Sequence, residues 1–539
     1  MDPIIQLTAI IGGTLGLAVV FGVYLARLIA YETRPLEKTL SKVENGFYRV
    51  IGIDKNHQMT WKQYLFALML TNGIAFAFFF FVLLFQDSIP ILSSPNREGF
   101  TVDLAFHTAI SFVTNTNLQH YLGDQQATVF SQMVALTFLM FVAPASAISA
   151  GFAFIRAFIR KNFGLGNFYV DFTRVIITLL LPVAFVSSLL LMFLGVPQTL
   201  DSSVTVTTLE GKEQTMVLGP VASLESIKEL GNNGGGYYGA NSAHPFENPN
   251  GLSNAYEIML IMVISVAFPI AYAKLVGRGR GVSILIAMLI AFGFLLAIGT
   301  VIESGPGALE TRFGSFDSVL FNIASISTNT GAVNSGLVGM APNAVISLLI
   351  AMFIQAIPGA DGTGFMTMIV YVILTLFIVG LMVGKTPEYM SMKISSKDIK
   401  LAALVFLIHP ALILIPTALA FTTGNAQAIV GDKITPLSYT QVLYEYTSAA
   451  ANNGSDYLGA SANTPFWNWS TGIVMFLGRY APLGLMLGIA GSFTIKDRKE
   501  VIEPIKTQGA LFITILLIMT FLLSALTFFP FIVIGPFSI

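Results

Sequence analysis

Apolar runs of membrane-crossing length recur along the whole chain, at roughly 4–30, 64–85, 129–155, 175–194, 256–276, 281–302, 345–383, 401–422, 471–495 and 510–535. In hydrocarbon every backbone amide and carbonyl must find its partner within the protein, so runs of this kind fold as helices. Charged residues make up 11% of the 539, about half the usual share, against 54% apolar. The fold class expected is an all-α polytopic membrane protein with ten transmembrane helices. The first run lacks a basic leader and a small-residue cleavage site, so it is read as a retained span rather than a signal peptide. Cysteine is absent, which excludes disulfides, thiolate metal sites and thiol catalysis. A net charge of −1 gives no pull toward nucleic acid.

Between the spans, one short polar pattern recurs four times: Thr114-Asn115-Thr116-Asn117, Gly231-Asn232-Asn233-Gly234, Thr328-Asn329-Thr330-Gly331 and Ala451-Asn452-Asn453-Gly454. Asn is always second, and the last position is Gly or Asn, the residues that tolerate a left-handed backbone. The basic residues orient these turns. All of the 28 Lys and Arg except Arg97, Lys212, Lys228, Arg312, Lys433 and Arg479 fall at Arg27 or in the segments that follow odd-numbered spans. The positive-inside rule makes those segments cytoplasmic and puts both termini outside. All four Asn turns then lie on the outer side.

Each turn also has the same approach. Asp103 and Asp317 lie 11 residues before Thr114 and Thr328, and Glu225 and Glu445 lie 7 before Asn232 and Asn452. The intervening apolar segments, such as 104–113 and 318–327, are too short to span and read as re-entrant half-helices with an acid near the start to complement the helix dipole. The unit is span, half-helix, Asn turn, span. Four copies occupy 64–159, 175–276, 281–383 and 401–495, with 1–63 and 510–535 as additions, arranged around a central pore.

Irregular backbone at membrane depth survives only where protein buries it or it lines a wet cavity. Four converging turns would supply such a cavity, with neutral carbonyl oxygens that replace the hydration shell of a monovalent cation. A divalent ion would favour carboxylates instead. Potassium is the expected ion.

Other features are read as follows. Arg479 falls eight residues into span nine and is expected beneath the fourth turn, as a fixed charge that keeps the ion from running straight to the cytoplasm. The seventh run is twice the needed length and contains Pro358, Gly359, Asp361, Gly362 and Gly364, so it is read as one broken span whose break could gate the cavity. Residues 203–218 fit a small hairpin, and 32–63 an interfacial helix. Trp61, Trp467 and Trp469 are expected at the membrane interface. Asp124 and Asp456, just past the first and fourth turns, read as solvated acids, and the five His lack ligand spacing. Gly384-Lys385-Thr386 resembles the end of a P-loop, but Val379 stands where Gly is required, so no nucleotide site is expected.

The blocks running from Thr114 to Gln119, Gly234 to Pro249, Ser327 to Gly336 and Ala449 to Ser470 resemble the KdpA family, the potassium-binding subunits of bacterial Kdp-type P-type ATPase complexes. The resemblance covers essentially the whole chain. It implies a filter carried by Thr114, Asn115, Thr116 and Asn117; Asn232, Asn233 and Gly234; Thr328, Asn329, Thr330 and Gly331; and Asn452, Asn453 and Gly454. It matches Gln119 to a residue supporting the first filter strand and Arg479 to a basic residue of the fourth unit. It further implies a bacterial inner membrane and a non-catalytic role. Potassium would pass sideways to a KdpB-like subunit that hydrolyses ATP, with KdpC-like and KdpF-like small subunits completing the assembly. A stand-alone channel or ion-coupled symporter of the Trk, Ktr or HKT type is the first alternative, and an organic-solute carrier the second.

Overall fold

In the computed structural model, which describes residues 3–34, 37–92, 98–159, 164–303, 312–498, 505–535 and 538, helices account for nearly all regular structure. Ten are long and apolar enough to cross a membrane: Pro3–Ile29, Trp61–Leu84, Ser131–Ile159, Phe168–Phe193, Gly251–Leu275, Arg278–Ile302, Thr363–Met382, Ser396–Thr422, Pro465–Thr494 and Ala510–Phe529. These are spans one to ten. The fourth begins seven residues before its expected start, because Asn167 caps the Tyr169 N–H through its side chain and carries the polar turn Phe168–Val175 into the helix. Basic residues Arg97, Arg160, Lys161 and Lys499 lie outside the described residues.

Four shorter helices fill the predicted re-entrant positions: Val102–Val113, Val221–Leu230, Gly314–Ser327 and Pro436–Ala451. Each pore helix packs against both spans of its own repeat or their upper halves, and against the second span of the preceding repeat. The first pore helix meets span nine in this way, so the ring closes. The span-one helix lies along span five, with Gly13 against Met259 and Gly22 against Ile270.

Run seven is broken as expected: Val345–Ile354 stops at Gln355 in a left-handed conformation, and the helix restarts at Thr363. Ten residues reach about 15 Å, half the hydrocarbon core, so the two pieces count as one crossing. Residues Ser203–Thr207 and Glu213–Val217 pair as the expected antiparallel hairpin. Glu37–Val50 forms the expected short amphipathic helix, anchored where Arg34 donates to Glu44 at 2.7 Å.

Three expectations need correction. Glu225 and Glu445 are not at the starts of their pore helices, unlike Asp103 and Asp317, which are in the first turn. Both Glu side chains are instead wholly buried behind the filter loops, held by polar partners. Trp467 is 1% exposed and stacks on Tyr446 at 5.2 Å, so it belongs to the core and not to the interface; Trp469 is exposed. Asp124 and Asp456 are half-buried, and Asp124 accepts the Gly239 N–H at 2.9 Å.

Candidate ion-binding site

The C-terminal ends of the four pore helices are built alike. In each, an N–H bonds to the carbonyl five residues back: Thr116 to Ser111, Asn233 to Lys228, Thr330 to Ser325 and Asn453 to Ser448, all at 2.8–2.9 Å. The residue before the donor is Asn115, Asn232, Asn329 or Asn452, with φ of 67°, 50°, 53° and 53°. This is the six-to-one closure that ends a helix when one residue turns left-handed. Asn tolerates that turn better than other side-chain-bearing residues. The chain therefore leaves all four helices through the same left-handed turn.

The same four Asn side chains bind the loops into a ring. Asn115 Nδ2 donates to the Asn232 carbonyl at 2.7 Å and to that of Gly231 at 3.1 Å. Asn232 Nδ2 donates to Thr330 Oγ1 at 2.8 Å, Asn329 Nδ2 to the Ala451 carbonyl at 3.1 Å, and Asn452 Nδ2 to Thr116 Oγ1 at 2.9 Å. Each repeat thus grips the next, and the fourth grips the first. Acceptors alternate: backbone carbonyls for the first and third links, Thr hydroxyls for the second and fourth. Those hydroxyls are braced by Thr114 and Thr328, at 2.9 and 2.8 Å.

The loops meet closely. A Cβ placed on Gly234 would lie 2.6 Å from the Thr116 carbonyl oxygen and 2.8 Å from that of Asn453. One placed on Gly454 would run into the same Thr116 oxygen, and one on Gly331 into the Asn453 oxygen. The last loop position is left-handed at Asn117, Gly331 and Gly454. Every filter side chain is at most 6% exposed. The Oδ1 atoms of Asn115, Asn117 and Asn329 have no hydrogen-bond partner among the described residues. The surroundings are neutral oxygens, suited to a weakly hydrated monovalent cation. Gln119 clasps the second loop from outside: its Oε1 accepts the Gly236 N–H at 2.9 Å and its Nε2 donates to the Gly236 carbonyl at 3.0 Å.

The break in span seven lies directly against this ring. The Asp361 N–H donates to Asn232 Oδ1 at 3.0 Å, and the Gly359 N–H to the Ser327 carbonyl at 3.0 Å. Ser265 Oγ lies 3.1 Å from Asn232 Oδ1 and 3.2 Å from Asp361 Oδ1, with one proton to give to either. Gly362, at φ 75°, sits where a Cβ would come within 2.7 Å of the Ala147 carbonyl, and Gly364 is pressed against Gly359. Arg479 is 7% exposed, and its Nη2 donates to the Ala143 carbonyl at 3.4 Å. With Asn329, Asn452 and Thr363 it lines a cavity against the third and fourth loops. Because span nine begins at Pro465, Arg479 lies about 20 Å along it, deeper than the sequence placed it. The cavity extends between spans seven and eight, past Tyr371, Phe406 and His409.

Two buried polar groups behind the filter were not singled out from the sequence. His107 and His120 stack at 3.9 Å, and His120 bonds Asn468 at 2.8 Å and Glu445 at 3.3 Å. Lys228 is wholly buried among Glu225, Glu229 and Glu247. The partial signal was Glu225 and Glu445 standing at the same offset from their Asn. Its meaning required the three-dimensional neighbours.

Among solved structures, the chain is similar to the potassium transporter TrkH from Vibrio parahaemolyticus. The two are 14% identical, and the match covers 92% of this chain and 100% of that one with a TM-score of 0.56. At that identity the likeness speaks for the fold, ten apolar helices with pore-helix repeats. The family model described as potassium-transporting ATPase A subunit, KdpA, matches residues 8–538. The chain belongs to the KdpA family: it is a multi-pass membrane protein that binds and selects potassium for uptake and is the non-catalytic subunit of a potassium-transporting ATPase.

Proposed function

We propose that potassium is selected at the ring formed by Thr114, Asn115, Thr116 and Asn117 with Asn232, Asn233, Gly234, Thr328, Asn329, Thr330, Gly331, Asn452, Asn453 and Gly454, with Gln119 as support. The closed cycle of Asn links carries this reading. It holds four loops at one separation, and selectivity between alkali ions depends on holding oxygens at a set distance and number. The four repeats at 64–159, 175–276, 281–383 and 401–495 are the walls. The ring faces the outside of a bacterial inner membrane, with both termini on that side.

Below the ring, Arg479 repels the cation from a straight descent, and the cavity between spans seven and eight offers the sideways route. The ion leaves by that route to a KdpB-like subunit, which binds and hydrolyses the nucleotide. KdpC-like and KdpF-like subunits complete the complex. Gly359, Asp361, Gly362 and Gly364 set the floor under the second and third loops. Their hydrogen bonds to Asn232 and the third pore helix favour a rigid floor over a swinging gate.

The test is potassium-stimulated ATP hydrolysis by the complex purified with its ATPase partner, comparing wild type with Gly234→Asp. The added carboxylate would collide with the Thr116 and Asn453 carbonyls and place charge where only backbone fits. Stimulation is expected to lose its preference for potassium over sodium. Retained preference would move the selective site elsewhere.

A further inference from the structure

Behind the second loop, the pore helix Val221–Leu230 and span five enclose four carboxylates around one ammonium. Glu225, Glu229, Glu247, Glu257 and Lys228 are all fully buried. Lys228 Nζ contacts Glu225 Oε2 at 2.8 Å, Glu247 Oε2 at 2.8 Å and Glu229 Oε1 at 3.4 Å, and also donates to Asn241 and Ser242. Ser242 Oγ reaches Glu225 Oε1 at 2.8 Å and Glu229 Oε1 at 3.0 Å, and has a single proton to give. Glu247 is fully occupied, by Lys228 and by the Tyr238 N–H at 2.7 Å. Glu257, from the opposite helix, has no hydrogen-bond partner on either oxygen among the described residues, and Glu229 Oε2 has none. Yet ligand oxygens of Glu225, Glu229 and Glu257 all lie within 4.8 Å of one another.

An unpaired buried carboxylate is costly, and an excess of negative charge over one ammonium multiplies the cost. We infer that a divalent cation of calcium size binds between Glu225, Glu229 and Glu257, joining the second pore helix to span five. Three carboxylate oxygens all within 4.8 Å of one another can share one cation at calcium–oxygen distances of about 2.3–2.6 Å. Magnesium demands shorter contacts and holds its waters, which suits a fully enclosed carboxylate site less well. Two positive charges also offset two of the three carboxylates that Lys228 leaves uncompensated. Asn241, which Lys228 holds, donates to the Gly234 carbonyl at 2.6 Å, so the cation would stiffen the second filter loop from behind.

The test uses the complex in lipid nanodiscs, desalted after exposure to calcium chloride. Elemental analysis should find about one calcium per chain, and calcium should raise the melting temperature saturably while EGTA lowers it. Glu257→Gln and, separately, Glu229→Gln should abolish both effects. Potassium protection, read on the same samples, reports on the filter separately and should persist. Wild-type complex with no retained calcium and a melt indifferent to calcium and EGTA would overturn the inference. So would a Glu257→Gln variant that melts higher than wild type, because a shared proton would then be what fills the gap. Retention of magnesium in preference to calcium would overturn the size assignment.

Discussion

Replacing Asn232 by Ala removes the most connected link in the ring. Its amide nitrogen serves Thr330 and the Ile261 carbonyl, both at 2.8 Å, and its oxygen receives Ser265 and the Asp361 N–H. Ser265 keeps Asp361 Oδ1, and Thr330 keeps Thr328, so those hydroxyls stay paired. The Asp361 N–H loses its side-chain acceptor in a buried place, a loss of about 1–3 kcal/mol. Alanine must also adopt φ near 50°, at a cost of roughly 1–2 kcal/mol. With about 1 kcal/mol for the lost bond to Thr330, the total is about 3–6 kcal/mol. If about 1.4 kcal/mol of that falls on the ion-bound form alone, potassium affinity drops tenfold. The assay is potassium protection against thermal unfolding of the purified complex, read for wild type, Asn232→Ala and Asn232→Gly. Glycine adopts the left-handed turn freely, so it should recover the backbone part and leave the hydrogen-bond part. An alanine variant with unshifted melting and unchanged potassium affinity would refute the idea that the Asn ring sets the loop spacing. Equal losses in the alanine and glycine variants would refute the backbone contribution.

Arg479→Gln keeps a donor for the Ala143 carbonyl but removes the charge under the third and fourth loops; passive potassium flux through reconstituted complex should rise, and the ratio of ions moved to ATP hydrolysed should fall. An unchanged ratio would leave Arg479 a packing residue. The Asp456 carboxyl is pushed up to about 8, by burial first and then by neighbouring Glu445. The folded protein therefore favours the protonated acid, a contribution that is full below the unfolded value of about 4 and is lost as pH rises through about 8. Wild-type melting temperature should fall as pH rises from about 4 to about 8 and level off above that, while Asp456→Asn stays flatter, and parallel curves would refute it.

The spans and turns were legible because they depend on local chain properties. A run of apolar residues fixes helix and length, and Asn at a helix end fixes a left-handed exit, whatever lies nearby. Thr114 to Asn117 and its three counterparts were thus placed in register from sequence. What each Asn grips was not legible: Asn115 reaches a partner 117 residues away, and Asn452 one 336 away. Glu225 and Glu445 show the same limit. Their matched offsets suggested helix-start acids, but pore helices two and four begin at different distances upstream, at Val221 and Pro436, and the acids serve tertiary partners. The burial of Trp467 against Tyr446 and the stacking of His107 on His120 likewise depend on how the filter loop folds a repeat back on itself, and no periodicity within one segment records them.

The links in the ring all run in one rotational sense, so a lesion and its symptom fall in different quadrants. Cutting the side chain of Asn115 unfastens the wall built by the second repeat, and cutting that of Asn452 unfastens the first. A screen for second-site suppressors should therefore search one repeat ahead of the damaged Asn. Because the walls are fused in a single polypeptide and their acceptors alternate between carbonyl and hydroxyl, each quadrant can be retuned separately, a freedom that a ring of four identical subunits lacks.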